Sequence, residues 1–285
     1  MPSTSACLWI VATPLGNPGD LSPRAREILA AADLILAEDT RRAARLCAVC
    51  GIEGRRFLSF HDHNESQRQE EALNLLRQGK QLALVSDAGT PLLADPGYRL
   101  VRACRQEGLK VSPVPGPSAP TAALSAAGIA PLPHSFLGFL PRDMGGREAL
   151  LRVFAHMPGS LIFFERKDRL KDSLAVAARL LGPREVVVCR ELTKTHEEFI
   201  VGRLEDDTWL PNELLGEITV VIGPPEQMER TPQARVEALI RQEMALGGKP
   251  REIARRVQEQ LLGWSGKEVY ALITHSDLTV HADKA

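Results

Sequence analysis

The hydrophobic positions in the first 115 residues fall into short apolar runs, separated by segments in which apolar residues have helical spacing. The runs have strand length and lie at residues 8–12, 34–37, 56–60, 82–86 and 110–114. The run at 82–86 does not alternate with polar residues, which indicates a strand buried on both faces. Strands that alternate with helices through short loops predict a parallel sheet covered by helices.

Capping residues mark the ends of the helical segments. Polar N-caps satisfy the first backbone N–H groups, proline suits the first helical turn, and glycine commonly ends a helix. On these signals we predict helices over 22–31, 64–79 and 95–108. The predicted capping residues are, in chain order, Ser22 with Pro23, Asn64 with Gln67, Gly79, Asp95 with Pro96, and Gly108.

The pattern changes after residue 116. A helix of small residues reaches Gly128, and β-rich runs then surround one clear helix at 168–181. From residue 225 onward strands disappear, and three short helices are predicted, the last with a capping box of Ser265 and Glu268. We therefore predict an α/β protein with domains at residues 1–116, 117–224 and 225–285, of which the last is helical.

Three loops at the carboxyl ends of predicted strands are unusually rich in glycine and proline. They cover residues 13–20, 86–91 and 113–120. Ligands of open parallel sheets bind beyond these strand ends. The loops contain no G-x-x-x-x-G-K-[ST] and no G-x-G-x-x-G, and proline removes the N–H donors that a pyrophosphate needs.

Such stiff loops suit a ligand without phosphate that is recognised by shape, carbonyl oxygens and a few polar side chains. S-adenosylmethionine is one such ligand, because carbonyls and a nearby carboxylate favour its positive sulfonium. Composition alone leaves methyl transfer as one of several α/β chemistries.

Charge and composition narrow the class of protein. The formal net charge is −1, so nucleic-acid binding would have to depend on local arginine clusters. No apolar run is long enough to span a bilayer, and the first residues lack the features of a signal peptide, so a cytoplasmic protein without membrane contact is expected. Five cysteines do not form a disulfide framework. Cys47 and Cys50 form a C-x-x-C pair that is interpreted as helix packing, with a redox or zinc site as the alternative.

Six motifs in order resemble the bacterial small-subunit ribosomal RNA 2′-O-methyltransferases of the tetrapyrrole methylase fold. They lie at residues 10–25, 32–41, 59–65, 83–101, 113–129 and 189–202. The resemblance implies two α/β domains with S-adenosylmethionine in the cleft between them, a small helical domain, and a homodimer. It further implies 2′-O-methylation of a cytidine in the decoding centre of 16S ribosomal RNA, so the RNA or the small subunit is the expected partner.

Site residues follow from the same motifs. The resemblance assigns cofactor contacts to Pro14, Gly16, Asp87, Thr90, Ser118, Ala119 and Leu192. No metal site is expected, because methyl transfer to oxygen requires no Lewis acid and no ligand cluster is evident.

A ribose hydroxyl is a weak nucleophile, so a proton acceptor or a charge-stabilising group should assist it. Glu38 and Asp87 are candidate acids, and Lys194 is a candidate for meeting a phosphate or the developing alkoxide. The alternatives are His61 and His63 as bases, and plain capping, turn or ion-pair roles for the acids. Asp39, which follows Glu38 directly in the sequence, is a further candidate acid, and helix capping is the alternative role for it.

RNA contact is expected from Arg41, Arg42, Arg55 and Arg56, with Arg45 and the tail residues Arg251, Arg255 and Arg256 as further candidates. Each could instead belong to a solvated face. Two other functions stay open: a tetrapyrrole methyltransferase of the same fold, and a non-catalytic ribosome-assembly factor.

Overall fold

The computed structural model describes residues 6–211, 213–226 and 230–275. These residues form two compact units, one with residues up to Phe154 and Gly159–Pro224, the other with Ala155–Pro158 and the residues from Pro225 onward. The first unit holds two β-sheets, and the second holds the three carboxyl-terminal helices. Ser276, with which the predicted tail helix ends, lies outside the described residues.

The first sheet is parallel throughout, as predicted. Its strand order is β3-β2-β4-β1-β5. The strands are β1 (Cys7–Val11), β2 (Leu34–Ala37), β3 (Phe57–Ser59), β4 (Gln81–Val85) and β5 (Val111–Val114). The helices between them are α1 (Pro23–Ala31), α2 (Thr40–Val49), α3 (Glu65–Arg77) and α4 (Tyr98–Gln106).

Helices cover both faces of this sheet. Leu29 of α1 and Cys47 of α2 pack against one face with Ile35 and Val85. Residues of α3 and α4, among them Leu76, pack against the other face. Burial on both sides explains why these strands carry no polar alternation.

The second sheet is mixed, with strand order β6-β7-β10-β8-β9. Only β6 and β7 pair in parallel, and the other neighbours are antiparallel. The strands are β6 (His134–Phe139), β7 (Ser160–Glu165), β8 (Glu185–Arg190), β9 (Glu198–Arg203) and β10 (Ile218–Ile222). The helices of this half are α5 (Ala119–Ala126), α6 (Met144–Val153) and α7 (Leu170–Leu181), and α5 packs against β7 and β10.

Helix α6 is missing from the sequence-based expectation. Gly145 and Gly146 lower helix propensity in its first turn and hide the signal. Asp143 caps the helix, because its carboxylate accepts a 2.6 Å hydrogen bond from the backbone N–H of Gly146. This side-chain cap offsets the weak propensity of the glycines.

The predicted capping role of Asp95 is wrong. Helix α4 begins at Tyr98, and its N-cap is Gly97 at φ 123°. The backbone N–H of Gly97 donates to the buried carboxylate of Glu65 at 3.1 Å, so a side chain from the preceding helix fixes this helix start. Asp95 is thereby left in the loop before the helix.

The capping box of Asn64 and Gln67 is also absent. Asn64 precedes α3 but makes no side-chain cap bond. Its amide oxygen accepts from the backbone N–H of His61 at 2.8 Å, and its amide nitrogen donates to the carbonyl of Ser59 at 3.1 Å. Asn64 therefore stabilises the turn after β3 and leaves the helix uncapped by its side chain.

The carboxyl-terminal unit contains α8 (Gln233–Ala245), α9 (Pro250–Gln258) and α10 (Gly266–His275). Its core includes Ile240, Val257 and Val269. The predicted capping box is confirmed: the backbone N–H of Ser265 donates to Glu268 at 2.8 Å, and the backbone N–H of Glu268 donates to the Ser265 hydroxyl at 3.3 Å.

Candidate functional site

Hydrogen bonds join the three glycine- and proline-rich loops to one another. Thr13 and Gly89 exchange two backbone hydrogen bonds of 2.9 and 3.0 Å. The hydroxyl of Thr90 donates to the carbonyl of Pro117 at 2.9 Å. The loops after β1, β4 and β5 thus form one connected surface at the carboxyl ends of the parallel strands, where the sequence predicts a ligand.

Gly89 is the residue that allows this close approach. Its φ is +80°, a conformation that side chains rarely adopt. A Cβ at this position would also lie 3.1 Å from a methyl carbon of Leu15. The glycine therefore lets the first loop pack directly on the second.

The first loop also contacts the turn that follows β8 in the second sheet. The backbone N–H of Asn17 donates to the hydroxyl of Thr193 at 3.3 Å. A Cβ on Gly16 would lie 2.2 Å from Cγ of Lys194. The ammonium of Lys194 is held by Glu191 at 2.9 Å and by Glu217 at 3.1 Å, so ion pairs anchor the side chain that fills this space.

A cavity of about 470 Å³ lies among these loops. Five predicted cofactor residues line it: Asp87, Thr90, Ser118, Ala119 and Leu192. Leu15 lines it between Pro14 and Gly16, which are outside the lining. Glu38 and Lys194, two of the three predicted catalytic residues, also lie outside it. The structure therefore gathers the second-loop, third-loop and β8 residues around one space.

Asp87 and Asp95 line the cavity, and with Glu38 they form an acidic cluster. Burial and the nearby charge of Glu38 raise the pKa of Asp95 to about 6. Desolvation and the charge of Asp87 likewise raise the pKa of Glu38. These groups thus influence one another's ionisation, and Asp95 titrates close to neutral pH.

The carboxylate of Asp87 is already engaged. It accepts a 3.2 Å hydrogen bond from the backbone N–H of Asp39 and a 3.1 Å ion pair from Arg42. Asp39 itself caps α2 by accepting from the backbone N–H groups of Arg41 and Arg42. The capping alternative for Asp39 is therefore confirmed, and its pKa falls to about 2 because of hydrogen bonds from Arg41.

The predicted RNA-binding arginines have different surroundings. Arg41 is exposed and pairs with Asp39 at 3.0 Å, while Arg42 lines the cavity. Arg55 donates to the carbonyls of Glu53 and Ala30. The remaining predicted arginine of this segment, Arg56, is exposed.

In the carboxyl-terminal unit, the guanidinium of Arg256 binds Glu243 at 2.6 Å and the Gly247 carbonyl at 3.0 Å. Arg251 is exposed, and Arg255 lies 3.9 Å from Glu259. Arg256 therefore serves packing within its own unit.

The histidine and cysteine alternatives lie elsewhere. His61 and His63 are outside the cavity lining, with their ring centroids 5.9 Å apart. Within the described chain all five cysteines are free and buried. Burial and the neighbouring Cys50 raise the pKa of Cys47 to about 11, which disfavours the reactive thiolate.

The sequence does not predict the lining residues on one side of the cavity. The sequence indicates a helix cap for Asp95, although a second aspartate in the same loop as Asp87 is also a signal for a function at the site. Six further lining residues come from the end of β6, the end of β7 and the turn after β7: Phe139, Phe164, Glu165, Arg166, Lys167 and Asp168. A phenylalanine that follows a glycine at the end of one strand, with two adjacent cations after the next strand, is the signal available in the sequence.

Within the part of the chain that the structure describes, no helix combines the length and the apolar character that crossing a membrane requires. No group of three or more His, Cys, Asp or Glu side chains there is arranged to hold a metal ion.

Comparison with known proteins identifies the family. Residues 7–206 match the family of tetrapyrrole (corrin/porphyrin) methylases. The chain belongs to this family. Within the tetrapyrrole methylases, it is similar to proteins called ribosomal RNA small subunit methyltransferase I. The one from Escherichia coli O157:H7 is 45% identical over 84% of this chain and 86% of its own length. The one from Xylella fastidiosa is 42% identical over 94% of this chain and 99% of its own length.

Solved structures of other methyltransferases share the fold. The methyltransferase CobJ superposes with a TM-score of 0.60 at 22% identity, covering 77% of this chain and 95% of that one. A uroporphyrin-III C-methyltransferase from Thermus thermophilus, complexed with S-adenosyl homocysteine, gives a TM-score of 0.56 at 20% identity, covering 76% of this chain and 96% of that one. The expected fold class, two α/β halves followed by carboxyl-terminal helices, is therefore confirmed.

The cavity fits the cofactor that the sequence predicts. Leu15, Ala119 and Leu192 supply apolar surface for a nucleoside. The carboxylates of Asp87 and Asp95 suit a sulfonium cation. These are the residues that would hold S-adenosylmethionine.

Proposed function

We propose that this protein is an S-adenosylmethionine-dependent methyltransferase that acts on the 2′-hydroxyl of a cytidine in the decoding centre of 16S ribosomal RNA. The observation that carries the proposal is the joining of three loops and Leu192 around one cavity that Asp87 and Asp95 also line. The relatives named for small-subunit ribosomal RNA methylation support the substrate class.

S-adenosylmethionine supplies an electrophilic methyl group on a sulfonium centre. The chain's own residues hold and orient the reactants. Leu15 and Leu192 come from opposite halves of the unit and exclude water from the apolar part of the cavity. The hydrogen bond from Thr90 to Pro117 keeps two walls in register, so the line of attack is set before the substrate arrives.

The acidic cluster is where we place the proton acceptor for the ribose hydroxyl. Asp87 is occupied by Arg42 and by the backbone of Asp39, which favours a role in orientation and charge balance. Glu38 and Asp95 carry raised pKa values, and Asp95, near 6, is largely ionised at neutral pH. A base with a pKa near the working pH transfers protons efficiently.

Lys194 is proposed to meet an RNA phosphate or the developing alkoxide from the rim of the site. Desolvation lowers the pKa of Lys194, but hydrogen bonds to Glu191 and Glu217 and the charges of these two acids outweigh it. The pKa of Lys194 is therefore raised. The cation therefore stays charged throughout the neutral range. Because Lys194 also fills the space beside Gly16, it supports the first loop at the same time.

RNA binding is proposed to use the exposed cations near α2, chiefly Arg41, Arg42 and Arg56, with Arg55. Phosphate contacts release counterions, so affinity for the small subunit should fall steeply with salt concentration. A homodimer in the cytoplasm is part of the same proposal, and sedimentation of the purified protein tests the oligomeric state.

The decisive test is methyl transfer in vitro. Purified protein and S-adenosylmethionine with a labelled methyl group are incubated with small subunits from cells that lack the protein, and nucleosides are then analysed by mass. We expect one 2′-O-methylcytidine per subunit. A parallel reaction with uroporphyrinogen tests the tetrapyrrole alternative, and labelled tetrapyrrole with unlabelled RNA would contradict the proposal. Cofactor binding without transfer to any substrate would favour the assembly-factor alternative.

A further inference from the structure

Strand β6 contains one extra residue beside the cavity. Phe136 pairs with Ile162 of β7, whereas Phe139 pairs with Phe164, so three residue steps on β6 match two on β7. Gly138, inside this stretch, has φ +67°. These features define a β-bulge, a feature that often lies next to active sites and changes the direction of a side chain.

The bulge changes the face on which Phe139 lies. In a regular strand, residues three apart lie on opposite faces. Here the Phe164 ring contacts both Phe136 and Phe139, with centroids 4.9 and 5.3 Å apart and edge-to-face geometry. Phe139 is 55% exposed and lines the cavity. The extra residue thus directs a large aromatic ring toward the site instead of away from it.

A buried network fixes the segments on both sides of this ring. The carboxylate of Glu165 accepts hydrogen bonds from Nε of Arg169 at 2.8 Å and from the hydroxyl of Ser173 at 2.5 Å. Arg169 also donates to the carbonyl of Leu140, the residue after Phe139, at 3.0 Å. The end of β6 and the turn after β7 are therefore held together.

That turn places two cations on the cavity lining. Arg166 pairs with Asp168 at 3.3 Å, but both side chains are exposed, so the pair contributes little and its guanidinium can turn to another anion. Lys167 is exposed and has no ion pair among the residues that the structure describes. Asp168 offsets one of the two charges, which leaves a net positive charge beside Phe139.

The aromatic ring lies away from the β8 side of the cavity. Leu192 follows the end of β8, and β10 and β7 separate β8 from β6 in the sheet. Three strand spacings correspond to roughly 14 Å between these two ends of the lining. The Phe139 end is therefore separate from the part of the cavity assigned to adenosine.

We propose that Phe139, Phe164 and Lys167 form the subsite for the nucleotide that is methylated, with its base stacked on Phe139 and an adjacent phosphate at Lys167. The inference rests on the proposed function and specifies how the RNA is held. RNA-binding proteins commonly stack splayed bases on aromatic side chains and pair the backbone with cations. An exposed ring beside a cation that has no ion pair in the described part of the chain, in the wall of the reaction cavity, has the features of such a subsite.

Four variants separate stacking from packing. Phe139→Leu keeps apolar bulk without a π face, Phe139→Trp keeps the face, Lys167→Gln removes the charge, and Tyr98→Ala removes an exposed aromatic residue outside the cavity lining. Methyl transfer to small subunits is measured with KM and kcat separated, and affinity for S-adenosylhomocysteine is measured by calorimetry.

We expect Phe139→Leu to raise KM for the subunit about 5- to 150-fold, the range for loss of one stacked base, with cofactor affinity unchanged. Phe139→Trp should stay within about threefold of wild type. Lys167→Gln should reduce the slope of log affinity against log salt concentration by about 1, which corresponds to one lost phosphate contact. Tyr98→Ala should change neither KM nor this slope.

Wild-type enzyme that methylates no RNA would overturn the proposed function and this inference with it. An active wild type together with an equally active Phe139→Leu variant would overturn the inference alone. Loss of cofactor affinity in Phe139→Leu would also contradict it, because the ring would then belong to the cofactor side.

Discussion

The side chain of Lys194 takes the space beside Gly16 in which a Cβ would lie 2.2 Å from Cγ of the lysine. The lysine follows β8 in the second sheet, and the glycine follows β1 in the first. The two sheets share no strand. Because Gly16 has no Cβ, the first loop and Lys194 can contact each other next to the cavity. This contact explains why a glycine is needed at a position whose φ is not in the left-handed region.

Gly16→Ala should weaken cofactor binding. Glu191 and Glu217 hold the ammonium of Lys194, so the lysine stem cannot move freely, and the first loop must shift instead. We expect affinity for S-adenosylhomocysteine, measured by calorimetry, to fall about tenfold, equivalent to ~1.4 kcal/mol. Adding Lys194→Ala should recover most of this loss, a non-additivity that a double-mutant cycle detects. Gly266→Ala, where a Cβ meets open space, is the control. Additive losses would show that the clash is not the cause.

Gly138→Ala should impair substrate binding more than cofactor binding. At φ +67° an alanine costs about 1–2 kcal/mol, and relief of this strain would disturb the bulge that directs Phe139. Gly108 at φ +70° also has open surroundings and ends α4 outside the cavity, so Gly108→Ala should lose comparable stability in urea unfolding without a change in KM for the subunit. Equal KM effects in both variants would contradict the role of the bulge.

Binding of the sulfonium should depend on the ionisation of Asp95. Its pKa is raised from 3.8 to about 6, mainly by burial, so the group is neutral at pH 5 and mostly negative at pH 7. S-adenosylmethionine is cationic at sulfur, whereas S-adenosylhomocysteine is neutral there. The ratio of their affinities should therefore rise by about 3- to 10-fold between these pH values in favour of S-adenosylmethionine.

Asp95→Asn should remove this rise, while Asp33→Asn should retain it. Asp33 lies outside the cavity lining, and hydrogen bonds from the Gln81 backbone and from Lys80 lower its pKa. Calorimetric titration of both ligands at pH 5, 6 and 7 gives the ratio. The same pH dependence in Asp95→Asn as in wild type would assign the effect to another group, such as Glu38.

Glu165→Gln should destabilise the fold. The Glu165 carboxylate is fully buried and neutralises Arg169, whose side chain is only 17% exposed. Loss of the negative charge leaves the guanidinium without its counter-ion, at a cost of about 3 kcal/mol in the free energy of unfolding. Lys80→Gln, which breaks an exposed pair with Asp33, should cost less than about 1 kcal/mol. Urea denaturation measures both, and similar losses would mean that burial of the Glu165 pair contributes nothing extra.

The sequence predicts the strands and the glycine- and proline-rich loops of the first sheet well, because the signals for them are local. Apolar runs without alternation indicate buried parallel strands, and glycine and proline mark the loops that join at Thr13, Gly89 and Pro117. Leu192 and Thr90 are identified through motif resemblance, and the structure places both on one cavity. Their individual roles in binding and catalysis stay predictions.

The remaining features depend on contacts between segments that are distant in the sequence. Asp95 has the sequence features of a helix cap, but Glu65 from another helix binds the N–H of Gly97, and the helix starts later. The face of the sheet on which Phe139 lies depends on the bulge in β6, and this bulge can be recognised only from the pairing of β6 with β7. The fit of Lys194 beside Gly16 likewise requires both sheets to be in place.

We propose that the joined loops direct a methyl group to one ribose of the small-subunit RNA. The most direct measurement maps 2′-O-methylation in that RNA from cells lacking this protein, before and after the wild-type chain or the Asp87→Asn variant is supplied. We expect one cytidine of the decoding centre to be unmethylated without the protein, fully methylated with the wild type, and poorly methylated with the variant. An unchanged pattern of ribose methylation in cells without the protein would contradict the account.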